Sequence, residues 1–133
     1  MHTWIELKGD ALKHNIKTFK NLYKGREVAF VVKSNAYGHG LSSLLPLIKS
    51  NHNGWLCVNY VTEGVQLRSE GYDGKVLVVG PVLKEDIETA SQQNLQIVVG
   101  HQELLENWLS SPEHPFIHLK VETGLNRQGF SAA

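Results

Sequence analysis

The sequence predicts an α/β fold in which a parallel sheet is covered by helices. Five short runs are apolar on both faces and rich in β-branched residues, the pattern of strands buried between layers. They alternate with segments whose apolar residues recur at helical spacing. With 133 residues, 41% hydrophobic and 20% charged, the chain is long enough for one domain with its own core.

The elements follow in order. Asp10 is placed to cap a first helix, in which Leu12, Ile16 and Phe19 share a face. Val28 to Val32 is a strand. Leu41 to Ser50 reads as a helix whose Pro46 must stand in the first turn or bend it. Trp55 to Val58 is the second strand, and Thr62 opens a helix that ends near Gly71. Lys75 to Val79 is the third strand. Lys84 to Gln93 is a helix with Glu85 and Asp86 in its first turn, where the helix dipole favours acids. Leu95 to Val99, His101 to Leu109 and Phe116 to Val121 complete the series as strand, helix and strand.

Two folds accommodate one helix followed by five strands with helices between them. One is a five-stranded doubly wound sheet, for which the length is about right. The other is part of a (β/α)8 barrel, which needs roughly 250 residues. Only twelve residues, Glu122 to Ala133, follow the fifth strand. They include Gly124 and Gly129 and show no helical periodicity. The helix expected to cover a fifth strand is missing, as though the pattern stopped partway.

Composition excludes several classes. Thirteen basic and thirteen acidic residues cancel, leaving no broad field to attract nucleic acid or anionic lipid. No apolar run is long enough to cross a membrane. Met1 to Lys8 lacks the basic end and apolar stretch of a signal peptide, and the single cysteine, Cys57, cannot form an internal disulfide. A cytoplasmic protein is expected, with Cys57 a buried thiol in the run Trp55-Leu56-Cys57-Val58. His114 and His118 are four apart, but Pro112 and Pro115 argue against a helix that would pair them, so no metal site is expected.

The most informative stretch is Val28-Ala29-Phe30-Val31-Val32-Lys33-Ser34-Asn35-Ala36-Tyr37-Gly38-His39-Gly40. A lysine ends an apolar strand and meets a polar, glycine-containing segment. Ligands of parallel α/β folds bind at the carboxyl ends of strands, so Lys33 points toward a site in either fold. It can be a solvated lysine, a point charge for a phosphate, or a nucleophilic amine. Neither G-x-x-x-x-G-K-[ST] nor a full G-x-G-x-x-G is present to support a nucleotide site. Desolvation at the strand end would lower the amine's pKa and make it nucleophilic, but spacing alone favours the solvated lysine.

Val31 to Gly40 resembles the pyridoxal phosphate attachment motif of bacterial alanine racemases, V-V-K-A-N-A-Y-G-H-G, departing only at Ser34. A second block agrees. His118-Leu119-Lys120-Val121-Glu122-Thr123-Gly124-Leu125-Asn126-Arg127-Gln128-Gly129-Phe130 resembles H-L-K-[VM]-D-T-G-M-[GN]-R-x-G-[FV]. Thr3-Trp4-Ile5-Glu6, with Asp10-Ala11-Leu12 and Asn15, is a looser third match. The three blocks stand in family order across the whole chain.

The resemblance implies the N-terminal part of a (β/α)8 barrel, with residues 1–133 forming a partial barrel domain. The rest of the barrel and a β-rich C-terminal domain would lie outside it. It implies pyridoxal 5'-phosphate as cofactor, a small amino acid as substrate, and a homodimer in the full-length family. The implied activity is interconversion of L- and D-alanine for peptidoglycan synthesis. Lys33 matches the Schiff-base lysine, and its freed amine serves one face of the substrate Cα. The second base is a tyrosine of the partner's C-terminal domain, for which this chain has no match. The chain alone is therefore expected to be inactive. Tyr37 matches the tyrosine that contacts the cofactor phosphate, and Arg127 the arginine on the phenolic oxygen. Lys120 matches a lysine carbamylated in many members, where the carbamate orients the arginine. Glu122 replaces the usual Asp, and Leu125-Asn126 the common Met-Gly. Ile117 and Leu119 are expected to face the barrel interior. Alternatives are a serine or broad-specificity racemase, and a non-catalytic protein that only holds the cofactor.

Overall fold

The computed structural model describes residues 3–52 and 54–131. The chain opens with helix α1 (Gly9–Leu22), strand β1 (Ala29–Val31), a short helical turn α2 (Lys33–Tyr37) and helix α3 (Leu41–Lys49). It continues through β2 (Trp55–Val58), α4 (Val61–Ser69), β3 (Lys75–Val78), α5 (Asp86–Gln92), β4 (Gln96–Val99), α6 (Gln102–Ser110) and β5 (Ile117–Leu119). Two-residue strands β6 (Val121–Glu122) and β7 (Phe130–Ser131) pair beyond the main sheet.

Strands β1 to β5 form one parallel sheet in the order β1-β2-β3-β4-β5. This order decides between the two candidate folds. A doubly wound sheet reverses its strand order and carries helices on both faces. Here every strand is added on the same side of the last. Right-handed crossovers then lay all the intervening helices on one face. The doubly wound alternative is therefore excluded, and the sheet has the winding of a barrel wall.

Alternation along the strands creates two faces. Leu56, Val58, Val76, Val78, Ile97 and Val99 are fully buried against the helices. Their partners include Leu45 and Ile48 of α3, Leu67 of α4, Ile87 and Ala90 of α5 and Leu104 of α6. The opposite face presents Val31, Cys57 and Leu77, which the register sets side by side, and Val98 beside His118. Cys57 is buried, and desolvation pushes its thiol pKa up. Ile117 and Leu119 do not face this inner side. The register pairs them with Ile97 and Val99, on the helix-covered face, so His118 and Lys120 take the inner positions instead.

The inner face has a polar base near the strands' amino ends. Trp55 Nε1 donates to Glu27 at 2.7 Å, Lys75 pairs with Glu27 at 2.9 Å, and the Lys75 ammonium lies 5.0 Å from the Trp55 ring centre. His118 packs edge-on against Trp55 and donates through Nε2 to Gln96 Oε1 at 2.7 Å. His114 packs instead on Trp108.

Two local expectations change. Helix α1 begins one residue before Asp10, with Lys8 at the cap position and no capping side chain. Asp10 stands within the first turn, where it still favours the dipole. Pro46 is the sixth residue of α3, past its first turn. The bond it cannot make would reach Ser42, and both residues lie on the exposed side, where water can satisfy the carbonyl. Among the described residues no helix is long and apolar enough to cross a membrane.

Candidate active site

Each strand leads into a turn at its carboxyl end, and these turns gather around one cleft of about 480 Å³. That volume lies within the usual range for small-ligand sites. Lys33 enters from the end of β1, Asn59 from β2, Val79, Gly80 and Pro81 from β3, and Lys120 from β5. Arg127 and Gln128 reach in from the loop between β6 and β7. Leu77 and Val98 supply apolar wall. Three of the four site residues expected from sequence, Lys33, Lys120 and Arg127, thus share one cleft although the first and last stand 94 positions apart.

Among the described residues no carboxylate lines this cleft. Lys33, Lys120 and Arg127 make no ion pair with any acid among the described residues, where the one such pair is Glu27 with Lys75. Three cations converging on a partly apolar pocket favour an anionic ligand. A phosphorylated aromatic aldehyde suits this donor set: an amine to react with, two further cations and an apolar wall.

The segment after Lys33 is more unusual than the glycine-bearing loop expected from sequence. Ser34, Asn35, Ala36 and Tyr37 all have φ between 53° and 55°, so α2 is left-handed. Gly38 follows at φ 85° and ends it. Left-handed helix costs a non-glycine residue about 1–2 kcal/mol. The turn is held by local bonds. Asn35 Oδ1 accepts from Leu41 N–H at 2.7 Å, and Gly40 N–H donates to Asn35 O at 3.1 Å. His39 Nδ1 meets Ala36 O at 2.8 Å, which gives this histidine a structural task. Ala36 is buried in the core.

Tyr37 does not join the cleft. It is 60% exposed and lines a separate depression beside α1, with Leu12, Asn15, His39 and Leu44 among its neighbours.

The loop carrying Arg127 is pinned across the strand ends. Gly129 N–H donates to Gly100 O at 3.0 Å, Phe130 N–H to Lys120 O at 2.8 Å, and Gln128 Nε2 to Val79 O at 3.2 Å. Gly129 has φ 135°, and a Cβ there would fall 2.6 Å from the Glu122 nitrogen. Glu122 suits this loop although the family pattern favours Asp. Its carboxylate accepts from Gly124 N–H at 2.5 Å. The backbone amides of Asn126 and Gly124 foremost, with those of Arg127 and Leu125, hold its pKa below the ordinary value. One acid thus gathers the turn that delivers Arg127.

Sequence reasoning missed Asn59, Gln128 and Glu63. Glu63 stands three residues into the turn that opens α4, accepting from Asn59 N–H at 2.6 Å and Ser34 N–H at 2.6 Å. An acid at that place in a helix start is a recognisable capping signal, but its reach to Ser34 is a tertiary contact.

The family described as "Alanine racemase, N-terminal domain" matches residues 7–133. The alanine racemase of Clostridium tetani is 35% identical over 131 residues, which cover 96% of this chain and 34% of that protein. The crystal structure of alanine racemase from Oenococcus oeni superposes with a TM-score of 0.85 at 28% identity, covering 96% of this chain and 36% of that one. A histidine racemase from Leuconostoc mesenteroides subsp. sake superposes with a TM-score of 0.83 at 26% identity, over 93% of this chain and 34% of that one. The chain spans about a third of the length of these relatives. The shared barrel winding, the cleft at the strand ends and these matches agree: the chain belongs to the alanine racemase family, in its N-terminal barrel domain.

Proposed function

We propose that this chain provides the lysine side of an amino-acid racemase dependent on pyridoxal 5'-phosphate, with alanine as substrate. The observation that carries the reading is the convergence of Lys33, Lys120 and Arg127 on one cleft that no acid lines among the described residues. The cofactor, when bound, supplies a conjugated ring that delocalises the electron pair left by the departing Cα proton. Lys33 Nζ would hold it covalently. The free Lys33 Nζ would take or return the substrate Cα proton on one face. Arg127 would donate to the phenolic oxygen. Lys120, carried as a carbamate, would present an anion to orient Arg127 and relieve the repulsion between two cations. Tyr37 is assigned to the phosphate group, which requires its hydroxyl to reach the cleft from the separate depression it lines here.

Racemisation needs a second acid–base group on the opposite face of Cα. We assign it to a tyrosine of a C-terminal domain outside residues 1–133, contributed across a homodimer. In this account residues 1–133 are a partial barrel domain, the enzyme works in the cytoplasm, and its product is D-alanine for peptidoglycan. A second reading, a racemase for serine or for several amino acids, is favoured by one observation. The structural relatives include a histidine racemase, so this scaffold accompanies more than one substrate. A protein that binds the cofactor without catalysis is the third.

The test adds pyridoxal 5'-phosphate and L-alanine to purified chain. The parent should develop a visible absorbance band that borohydride abolishes, Lys33→Ala should develop none, and neither should form D-alanine at an enzymatic rate. No band in the parent would contradict the cofactor assignment. Robust D-alanine formation that Lys33→Ala abolishes would place the second base within this chain.

A further inference from the structure

A run of four left-handed non-glycine residues persists only where its surroundings over-determine it. Most bonds that hold α2 come from its own segment, including Ala36 N–H to Val32 O and Asn35 Oδ1 to Leu41 N–H. Among the described residues, one side chain from outside that segment hydrogen-bonds to it. Glu63 Oε1 accepts the N–H of Ser34 at 2.6 Å. Ser34 is both the first left-handed residue and the one directly after Lys33. The other oxygen, Oε2, accepts from Asn59 N–H at 2.6 Å, and Asn59 lines the cleft. Glu63 itself is fixed on α4, whose Val61, Gly64 and Leu67 are buried.

We propose that Glu63 is a positioning residue for Lys33: its carboxylate ties the ends of β1 and β2 together and sets where the Lys33 amine enters the cleft. This inference rests on the role proposed for Lys33 above. The residue type follows from the chemistry of the partners. Both are N–H donors, so both oxygens must accept. A carboxylate does so at each end. The amide of glutamine would turn an NH2 against one of the two N–H groups, leaving one end of the bridge unmade.

The experiment compares the chain with Glu63→Gln, using Glu63→Asp in its place should the glutamine variant fail to fold. Aspartate keeps the charge but is too short to span both amides. Two readouts are taken. The first is amide hydrogen exchange at Ser34, with Val76 and Val78 of β3 as internal controls. The second is the ratio of pyridoxyl label on Lys33 to that on exposed Lys24, after brief exposure to pyridoxal 5'-phosphate and borohydride. Ser34 exchange should accelerate by about tenfold, equivalent to one lost hydrogen bond to a charged group. The β3 amides should not change, and the label ratio should fall by a similar factor. A role confined to stability would leave the label ratio of the folded protein unmoved.

Unchanged exchange at Ser34 overturns the inference whatever the label does. Where the parent labels Lys33 faster than Lys24, accelerated exchange with an unchanged label ratio overturns it too, because the turn then loosens without consequence for Lys33. If the parent itself labels Lys33 no faster than Lys24, the cofactor reading fails. Accelerated Ser34 exchange in the variant then still supports Glu63 as the anchor of the turn.

Discussion

Replacing Ser34 with glycine should stabilise the protein, although it removes a side chain. The four residues of α2 together carry about 4–8 kcal/mol of left-handed strain, a large part of the roughly 5–15 kcal/mol that keeps a domain folded. Ser34 is the position where this strain can be relieved most cleanly. It is exposed, its hydroxyl makes no hydrogen bond among the described residues, and its tie to Glu63 runs through the backbone. Glycine at φ 55° removes about 1–2 kcal/mol. It returns about 0.4–1 kcal/mol through the greater freedom of the unfolded chain. The net gain is about 0.5–1 kcal/mol. Ala36→Gly should not show this gain, because the buried Ala36 methyl contributes about 0.8 kcal/mol that glycine forfeits. Ser34→Val, β-branched and crowded at this φ, should be destabilising. Urea unfolding followed by tryptophan fluorescence measures all three. A lower midpoint for Ser34→Gly, or an unchanged midpoint for Ser34→Val, would refute the reasoning that the turn is strained.

The loop that delivers Arg127 supports two further predictions. Gly129→Ala should destabilise by about 1–3 kcal/mol and weaken cofactor binding, because its Cβ meets the Glu122 backbone. Gly124→Ala, at φ 130° but with open space around it, should cost less in the same urea titration. Acid should loosen this loop. The Glu122 carboxyl is depressed below its ordinary 4.5 by loop amides. Its contribution is therefore complete above that ordinary value and disappears as pH falls through the depressed folded value. Protection of the Gly124 amide, its exchange measured relative to the intrinsic rate at the same pH, should fall on acidification in the parent, whereas in Glu122→Gln it should be low throughout and nearly independent of pH.

The alternation of strands and helices was legible because buried parallel strands are short, apolar and β-branched, and every such run from Val28 to Val121 contains a strand. Strand order was not legible. It depends on which neighbours pair, and the local pattern suits a doubly wound sheet equally well until β1 to β5 are seen in sequence. Side-chain parity was misread at β5. Ile117 and Leu119 look like natural barrel filling, yet pairing with Ile97 and Val99 turns them to the helices and leaves His118 and Lys120 inside. Lys33, Lys120 and Arg127 were found through their motifs, and the fold brings them together. Tyr37 was found in the same way but stands outside the cleft, because the left-handed turn directs it toward α1. That turn was hidden by its composition. Asn tolerates positive φ, but Ser, Ala and Tyr carry no such signal. Glu63 was hidden because its value lies in a bond to a residue 29 positions away.

The central claim is that Lys33 binds pyridoxal 5'-phosphate covalently in a cleft shared with Lys120 and Arg127. A crystal structure of the borohydride-reduced complex tests it most directly. The account predicts pyridoxyl density continuous with Lys33 Nζ, the Arg127 guanidinium within hydrogen-bond distance of the phenolic oxygen, and Lys120 lining the same pocket. Density on Lys20 or Lys75, or on Lys33 with the ring turned away from Arg127, would contradict it.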